Sequence, residues 1–327
     1  MVARRQVIAL GAGVLLTPYS LAQAPARKMA RIGYLSLGSP DADRLWLEAF
    51  RQGLRNAGYA EHRNFVIESR YSMGQADKLS LMADELVRDK VDVLVAGGEA
   101  AALAAQKATR DVPIVFTTVA DPIAIGLVAS LGKPGANMTG LSDMHSDLVS
   151  KRLQLLKEIL PNATRFGVIL NPANTAHPFQ FKDCQAAARA LQVTVMPIEI
   201  KKTEDIESAF AIIRKESLNG LLILGDRLLG VYGKHISDQA MKARLPTVFT
   251  QRTRVEAGGM MSYGANFEDI YRRAAVYVDS ILKGAKPADL PIQQPTNIEF
   301  VINMKTAKAI GIKVPQTILL QATLVIE

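Results

Sequence analysis

The polar residues best suited to chemistry follow apolar runs of the sequence and form no recognised catalytic motif. Asp226 comes after the apolar run Leu221–Leu224 and one glycine. A carboxylate there can pair with the ammonium group of an amino-acid-like ligand, although it can equally cap the next segment. Arg252 follows the run Thr247–Thr250 and can face a ligand carboxylate or phosphate, or remain solvated. These residue types point to the binding of a charged small molecule.

Eight further candidates lie where other strands are expected to end. In open parallel sheets, ligands bind beyond the carboxyl ends of the strands, where helix N termini expose free N–H groups. The positions that this rule selects are Ser36, Gly98, Glu99, Thr117, Thr118, Asp121 and Asn171. Tyr263, at the end of a later strand, can stack on a planar ligand. Structural roles stay open for three of them: a helix-dipole contact for Glu99, a helix cap for Asp121 and a turn for Asn171.

Signatures of catalysis and metal binding are missing from the sequence. It contains no G-x-S-x-G, H-E-x-x-H, P-loop or C-x-x-C pattern. The single cysteine, Cys184, excludes an internal disulfide and a cysteine-based zinc site. The four histidines are far apart and show no ligand spacing. We therefore expect a binding protein and not an enzyme, with no cofactor and no metal.

The composition is that of a folded protein without a nucleic-acid partner. The chain has 327 residues, of which 49% are hydrophobic and 21% charged, with a formal net charge of +8. This mixture is too apolar for a disordered chain. Without Arg4 and Arg5, which lie in an N-terminal segment expected to be removed, 37 basic residues face 31 acidic ones, a net charge of +6. No run of Lys and Arg is long enough to follow a phosphate backbone.

Residues 1–24 have the pattern of a secretory signal peptide. Two arginines precede an apolar run, Val7–Leu16, and the segment ends in Ala22-Gln23-Ala24. Ten apolar residues are too few to span a bilayer of about 30 Å, and no cysteine follows them for lipid attachment. We expect cleavage near Ala24 and a periplasmic protein. An ordinary buried N-terminal helix is the alternative, and the choice between Sec and twin-arginine export stays open.

Apolar strands alternate with amphipathic helices along the remaining sequence. This pattern predicts an α/β protein with parallel sheets covered on both faces. The strands expected in the first unit are 32–37, 65–71, 91–96 and 114–119, and a helix is expected at 123–131. The pattern begins again after a turn-rich join at 135–140. We therefore expect two Rossmann-like lobes, one of residues 30–143 plus 260–285 and the other of residues 144–259 plus 286–327.

An ordered series of short segments resembles a known family. The segments are Asp121-Pro122, Gly126–Val128, Pro134–Gly140, Asn171-Pro172, Ala257–Gly264, Ile281–Gly284, Leu290-Pro291 and Ile302–Ala307. Together they resemble the ABC-transporter substrate-binding proteins that include the tryptophan-type members. The resemblance covers the chain from about Arg31 to Glu327 and implies a type I periplasmic-binding-protein fold, with two lobes joined by a three-crossing hinge.

The resemblance also implies a function and a set of partners. It implies a periplasmic solute-binding protein, a monomer, that delivers a small solute to an ABC permease with a cytoplasmic ATPase. The chain departs from the tryptophan-type pattern at Gly98, where those members tend to carry a hydroxyl residue, and at Leu224–Arg227. We therefore expect an amino-acid-like or aromatic solute without naming tryptophan. A periplasmic ligand sensor of the same fold, feeding a membrane signalling receptor, is the alternative.

Overall fold

The first sheet is a five-stranded parallel sheet built from the N-terminal part of the chain. The computed structural model describes residues 29–327, except for the side chains of residues 145–147, so the expected signal peptide lies outside the described residues. The strand order is β2-β1-β3-β4-β5, with every pair parallel. Its elements are β1 (Ala30–Ser36), α1 (Pro40–Asn56), β2 (Phe65–Tyr71), α2 (Lys78–Arg88), β3 (Val93–Gly97), α3 (Glu99–Ala108), β4 (Ile114–Val119) and β5 (Met138–Ser142).

The second sheet has seven strands in the order β12-β11-β10-β9-β8-β6-β7, of which only the β10–β11 pair is antiparallel. Its elements begin with α4 (His145–Ile159), β6 (Arg165–Leu170), α5 (His177–Ala190), β7 (Thr194–Glu199), α6 (Asp205–Lys215), β8 (Gly220–Ile223), α7 (Arg227–Val231) and α8 (Gly233–Lys242). They continue with β9 (Thr247–Phe249), α9 (Arg252–Glu256), β10 (Met261–Ala265), α10 (Phe267–Leu282), β11 (Ile298–Asn303), α11 (Met304–Ile310), α12 (Gln316–Leu319) and β12 (Leu324–Ile326).

Each sheet is covered by helices on both faces, as the continuous apolar strands predict. Successive residues of a strand point to opposite faces. In β1, Ile32 and Tyr34 join the core under α1 and α10, whereas Leu35 joins the core under α2 and α3. In β6, Val168 and Ile169 likewise point to opposite faces of the second sheet, and each joins a different hydrophobic core. The predicted fold class, a two-lobed α/β protein with parallel sheets, is confirmed.

Local signals explain the start of α1. Ser39 accepts a hydrogen bond from the Ala42 N–H, and Pro40 occupies the first turn. A hydroxyl cap satisfies one free N–H group, and proline suits a position whose own N–H would be unbonded. Two acidic residues, Asp41 and Asp43, lie in the same turn, where the helix dipole favours negative charge.

The chain returns to the first lobe between β10 and β11. Helix α10 packs on α1, and the Gln293 N–H donates to the Gly140 carbonyl beside β5. Strand β10, expected in the first lobe, pairs in the second sheet with β9 and β11. Residues 286–297, expected in the second lobe, bond to the first lobe instead. We therefore propose that residues 30–143 and 266–297 form the first lobe, with the second formed by residues 144–265 and 298–327.

Two local predictions are wrong. The expected helix at 123–131 is a set of turns, because Gly126 has a φ of +73° and breaks the helical path after the Asp121 cap. The turn-rich join contains a strand, β5, which pairs with β4. Among the described residues no helix is long and apolar enough to cross a membrane.

Candidate functional site

A cleft lies between the two lobes, at the carboxyl ends of strands from both sheets. Its position follows the general rule for ligand sites in open parallel sheets. The first lobe contributes Gly98, Glu99, Ala100, Thr118, Asp143 and Phe267, and the second contributes Asn174, Gly225, Asp226, Arg227 and Gln251. The lining is therefore mostly polar and includes three carboxylates.

The first-lobe wall is formed by the ends of β3 and β4. Gly98 precedes α3 with a φ of +92°, and no side chain caps this helix, so the N–H groups of its first turn are free for a ligand. Thr118 has a φ of +53° at a bulge between β4 and β5. A β-branched residue rarely adopts this conformation, and such strain is concentrated at functional sites. The wall therefore combines free N–H groups with a strained threonine.

Glu99 places a largely buried carboxyl group in this wall. Its Oε1 accepts from the Ala120 N–H at 3.1 Å, and its Oε2 is buried without a hydrogen bond of ordinary geometry. Burial, with a smaller effect from the charges of Asp143 and Asp226, raises the pKa of Glu99 to about 8, against the lowering effect of the Ala120 N–H and the Asn174 side chain. At neutral pH Glu99 is therefore mainly protonated.

Asp226 anchors the second-lobe wall. Its Oδ2 accepts from Asn174 at 2.9 Å and from Asn171 at 3.3 Å, while its Oδ1 accepts from the Leu229 N–H at 2.9 Å. Asp226 therefore has both of the roles that the sequence left open: it caps α7, and it lines the cleft.

A buried histidine fixes the loops that carry this wall. His177 Nδ1 accepts from the Asn171 N–H at 2.9 Å, and its Nε2 lies 3.1 Å from the Gly225 carbonyl, to which it must donate. Burial lowers the pKa of His177, so the ring is neutral with its proton on Nε2. It ties the end of β6 to the end of β8, which hold Asn171 and Asp226 in place.

Arg227 extends from the second lobe into the first. Its Nη1 lies 2.9 Å from Asp43 Oδ1, and its Nη2 donates to the Tyr271 hydroxyl at 2.5 Å. Its guanidinium lies over the Trp46 ring, 4.3 Å from the centroid. The Asp43 side chain is fully buried and that of Arg227 is 10% exposed. The two lobes are thus joined by a buried ion pair.

The structure brings four predicted residues into the cleft lining: Gly98, Glu99, Thr118 and Asp226. Asn171 is next to them, bonded to Asp226. Asp121 instead caps the N–H groups of two turn residues. Ser36 accepts from the Gly38 N–H, and Thr117 donates to the Ala96 carbonyl. None of the last three lines the cleft.

Two further candidates lie elsewhere. Arg252 is bonded to Glu256 and largely exposed, and it lines a smaller neighbouring pocket. The Tyr263 ring packs edge-on against Phe300, and its carbonyl accepts from Arg152. Tyr263 is not among the residues that line the cleft, and its ring packs against the core of the second lobe.

Sequence reasoning missed Asp143, Asn174, Arg227 and Phe267. Asp143 follows β5, a strand that the sequence analysis took for a turn. Asn174 and Arg227 are close in sequence to predicted residues, so a wider window at each strand end would have included them. Among the side chains that the structure describes, no group of His, Cys, Asp and Glu is arranged to hold a metal ion.

The site and fold match known proteins. Residues 35–326 match the family described as ABC transporter substrate binding protein. A curated relative, the tyrosine-binding protein of Clostridioides difficile strain R20291, is 27% identical over 289 residues, covering 88% of this chain and 83% of the relative.

Two solved structures show related folds in different states. The ABC domain in complex with L-Trp from Streptococcus pneumoniae is 27% identical, with a TM-score of 0.83 over 90% of this chain and 100% of that one. The ligand-free, open structure of a substrate-binding protein with adhesive properties from Clostridium difficile is 25% identical, with a TM-score of 0.66 over 91% and 99%. The chain is thus more similar in shape to the ligand-bound neighbour, which agrees with the ion pair that joins its lobes. By the extent of the family match, this chain belongs to the ABC transporter substrate-binding protein family.

Proposed function

We propose that this protein captures an α-amino acid, or a similar amine-bearing solute, between its two lobes and delivers it to an ABC importer. The observation that carries the proposal is a pair of buried polar side chains that line the interlobe cleft. Gln251 Oε1 is a buried acceptor without a hydrogen bond, and the Glu99 carboxyl group also lies buried in the lining, in contact with the Ala120 N–H and the Asn174 side chain. Buried acceptors without partners are rare in proteins, so a ligand donor is the natural partner here.

Charge supports an ammonium group as that donor. Three carboxyl groups, Glu99, Asp143 and Asp226, line the cleft, whereas Arg227, the one cation among the described residues of the lining, is paired with Asp43. An ammonium group between these carboxylates would form charge-assisted hydrogen bonds. The ligand carboxylate would face the free N–H groups at the start of α3, where the helix dipole favours an anion. The two walls thus suit the two ends of an amino acid.

The related proteins support the same class of ligand. One relative is named for tyrosine and one structural neighbour holds L-Trp. Members of this family work with a transporter, so we propose delivery to a permease with a cytoplasmic ATPase. We further propose an exported, periplasmic monomer whose lobes close on the ligand by hinge bending.

The experiment that tests the proposal is calorimetric titration of the protein with amino acids, followed by the substitution Asp226→Asn. Asparagine caps helices as well as aspartate does, so α7 should persist while the negative charge is lost. We expect the affinity for the cognate amino acid to fall at least about tenfold, which corresponds to about 1.4 kcal/mol.

A matched control is Asp121→Asn, because Asp121 also caps a turn but lies outside the cleft lining. This variant should bind with unchanged affinity. If Asp226→Asn binds as tightly as the unmodified protein, the ammonium site is elsewhere. If no amino acid binds the unmodified protein, the proposed ligand class is wrong.

A further inference from the structure

An aromatic cage on the first lobe is filled by an arginine from the second. The cage consists of Tyr34, Trp46 and Tyr271. Trp46 and Tyr271 are stacked with ring centroids 6.0 Å apart, and Tyr34 meets Tyr271 edge-on at 6.4 Å. The guanidinium of Arg227 lies over the face of the Trp46 ring, 4.3 Å from its centroid, and donates to the Tyr271 hydroxyl. Electron-rich ring faces attract cations, so the cage and its occupant are chemically matched.

The charge of Arg227 is neutralised inside the cage. Asp43 accepts from Arg227 Nη1 at 2.9 Å through Oδ1 and from the Tyr34 hydroxyl at 2.7 Å through Oδ2. Both charged side chains are nearly or fully withdrawn from solvent. Moving Arg227 out would leave a buried carboxylate without its cation, which is strongly unfavourable. Arg227 is therefore a fixed part of the closed cleft.

The backbone of the first lobe leaves room for the arginine stem. A Cβ atom at Gly97 would lie 3.0 Å from Arg227 Nη2, and one at Gly98 would lie 3.2 Å from Arg227 Cγ. Both contacts are tighter than ordinary van der Waals contact. Two consecutive glycines thus let Arg227 reach the cage along the start of α3. The close approach of Arg227 to these two glycines is a separate observation from its ion pair with Asp43.

We propose that Arg227 sets the ligand specificity of this protein by standing between the cleft, which it lines, and the buried Trp46 ring, which it covers, so that compact amino acids bind and aromatic ones do not. The inference rests on the proposed function. With Arg227 in place, the space left to a ligand is the polar cleft between the lobes. Its lining offers groups for an ammonium and a carboxylate, and among the described residues of that lining Phe267 is the one aromatic side chain.

Calorimetric titration of the purified protein with each of the twenty protein amino acids tests this inference. We expect binding of one or more compact amino acids, such as L-alanine or L-serine, with L-tryptophan and L-tyrosine weaker by roughly 100-fold or more. The double variant Arg227→Ala/Asp43→Asn empties the cage without leaving a buried charge. It should gain affinity for L-tryptophan or L-tyrosine by about tenfold or more.

The matched control is Arg165→Ala/Glu216→Gln, which removes an ion pair on the surface of the second lobe and should leave all affinities unchanged. Tighter binding of L-tryptophan or L-tyrosine than of any compact amino acid by the unmodified protein would overturn the inference while upholding the proposed function. The ratio of these two affinities is measured on the unmodified protein alone. A folded double variant with no gain for aromatic ligands would also overturn it. Failure of every amino acid to bind would refute the proposed function itself.

Discussion

At the scale of single residues, Glu99 couples the cleft to pH. Burial and the nearby carboxylates raise its pKa to about 8, so before a ligand binds at pH 7 it is mainly protonated. An ammonium group beside it favours the charged form and lowers this pKa. Binding at pH 7 should therefore release up to about one proton per ligand, and affinity should rise with pH until it levels off above the unliganded pKa.

Calorimetry in buffers with different ionisation enthalpies measures this proton release. The apparent binding enthalpy should vary with the buffer for the unmodified protein, whereas Glu99→Gln should show no such variation because it has no titrating group at this position. An enthalpy independent of the buffer at pH 7 in the unmodified protein would show that the ligand does not ionise Glu99.

At the scale of elements, the docking of α10 on α1 depends on a glycine. A Cβ atom at Gly53 would lie 2.4 Å from the Arg272 carbonyl oxygen and 2.6 Å from the Ala275 Cβ. Gly53→Ala improves helix propensity by up to about 1 kcal/mol, but it forces the two helices apart. We expect a net loss of about 1–3 kcal/mol in the free energy of unfolding, measured by urea denaturation.

Gly132→Ala is the control for this prediction, because a Cβ atom there meets nothing within 4 Å. Its stability should be nearly that of the unmodified protein. If Gly53→Ala is equally stable, the close approach of α1 and α10 does not determine how this helix docks.

The elements also show where sequence reasoning works and where it stops. The pattern of the sequence predicts β2 and β4 at the bounds that the structure has, and for β4 the reason is the burial of every residue, which requires a continuous apolar run. It misses β5 because Gly135 and Gly140, typical of turns, here serve a left-handed turn and a close contact with the Phe116 carbonyl. Local composition carries no information about a contact between distant strands.

The candidate site can likewise be predicted from the sequence only in part. Positions beyond strand ends are visible in the sequence, and Glu99 and Asp226 are found by that rule. The pairing of Arg227 with Asp43 joins residues 184 positions apart, and it forms only when the lobes meet. The strained φ of Thr118 is likewise set by the bulge between two strands. Such features arise from tertiary structure and leave no periodic signal.

At the scale of the whole molecule, the ion pair between Asp43 and Arg227 should bias the lobes toward closure even before a ligand binds. Each partner belongs to a different lobe, and the pair can exist only when the lobes are together. Removing one partner of a buried pair costs about 3–5 kcal/mol. About 5.5 kcal/mol is enough to move a two-state equilibrium from 99:1 to 1:99, so a change of this size shifts the lobes strongly.

Small-angle X-ray scattering of Asp43→Asn checks this bias. Asparagine keeps the shape of the side chain and can still accept from Tyr34, but it leaves Arg227 without its counter-charge. We expect the ligand-free variant to have a larger radius of gyration than the unmodified protein, and saturating ligand to restore the compact value, because contacts to both walls favour the closed form. Arg165→Ala, which breaks an ion pair within the second lobe, should scatter like the unmodified protein. Identical ligand-free profiles for Asp43→Asn and the unmodified protein would mean that the lobes close without help from this pair, and that hinge geometry alone sets their equilibrium.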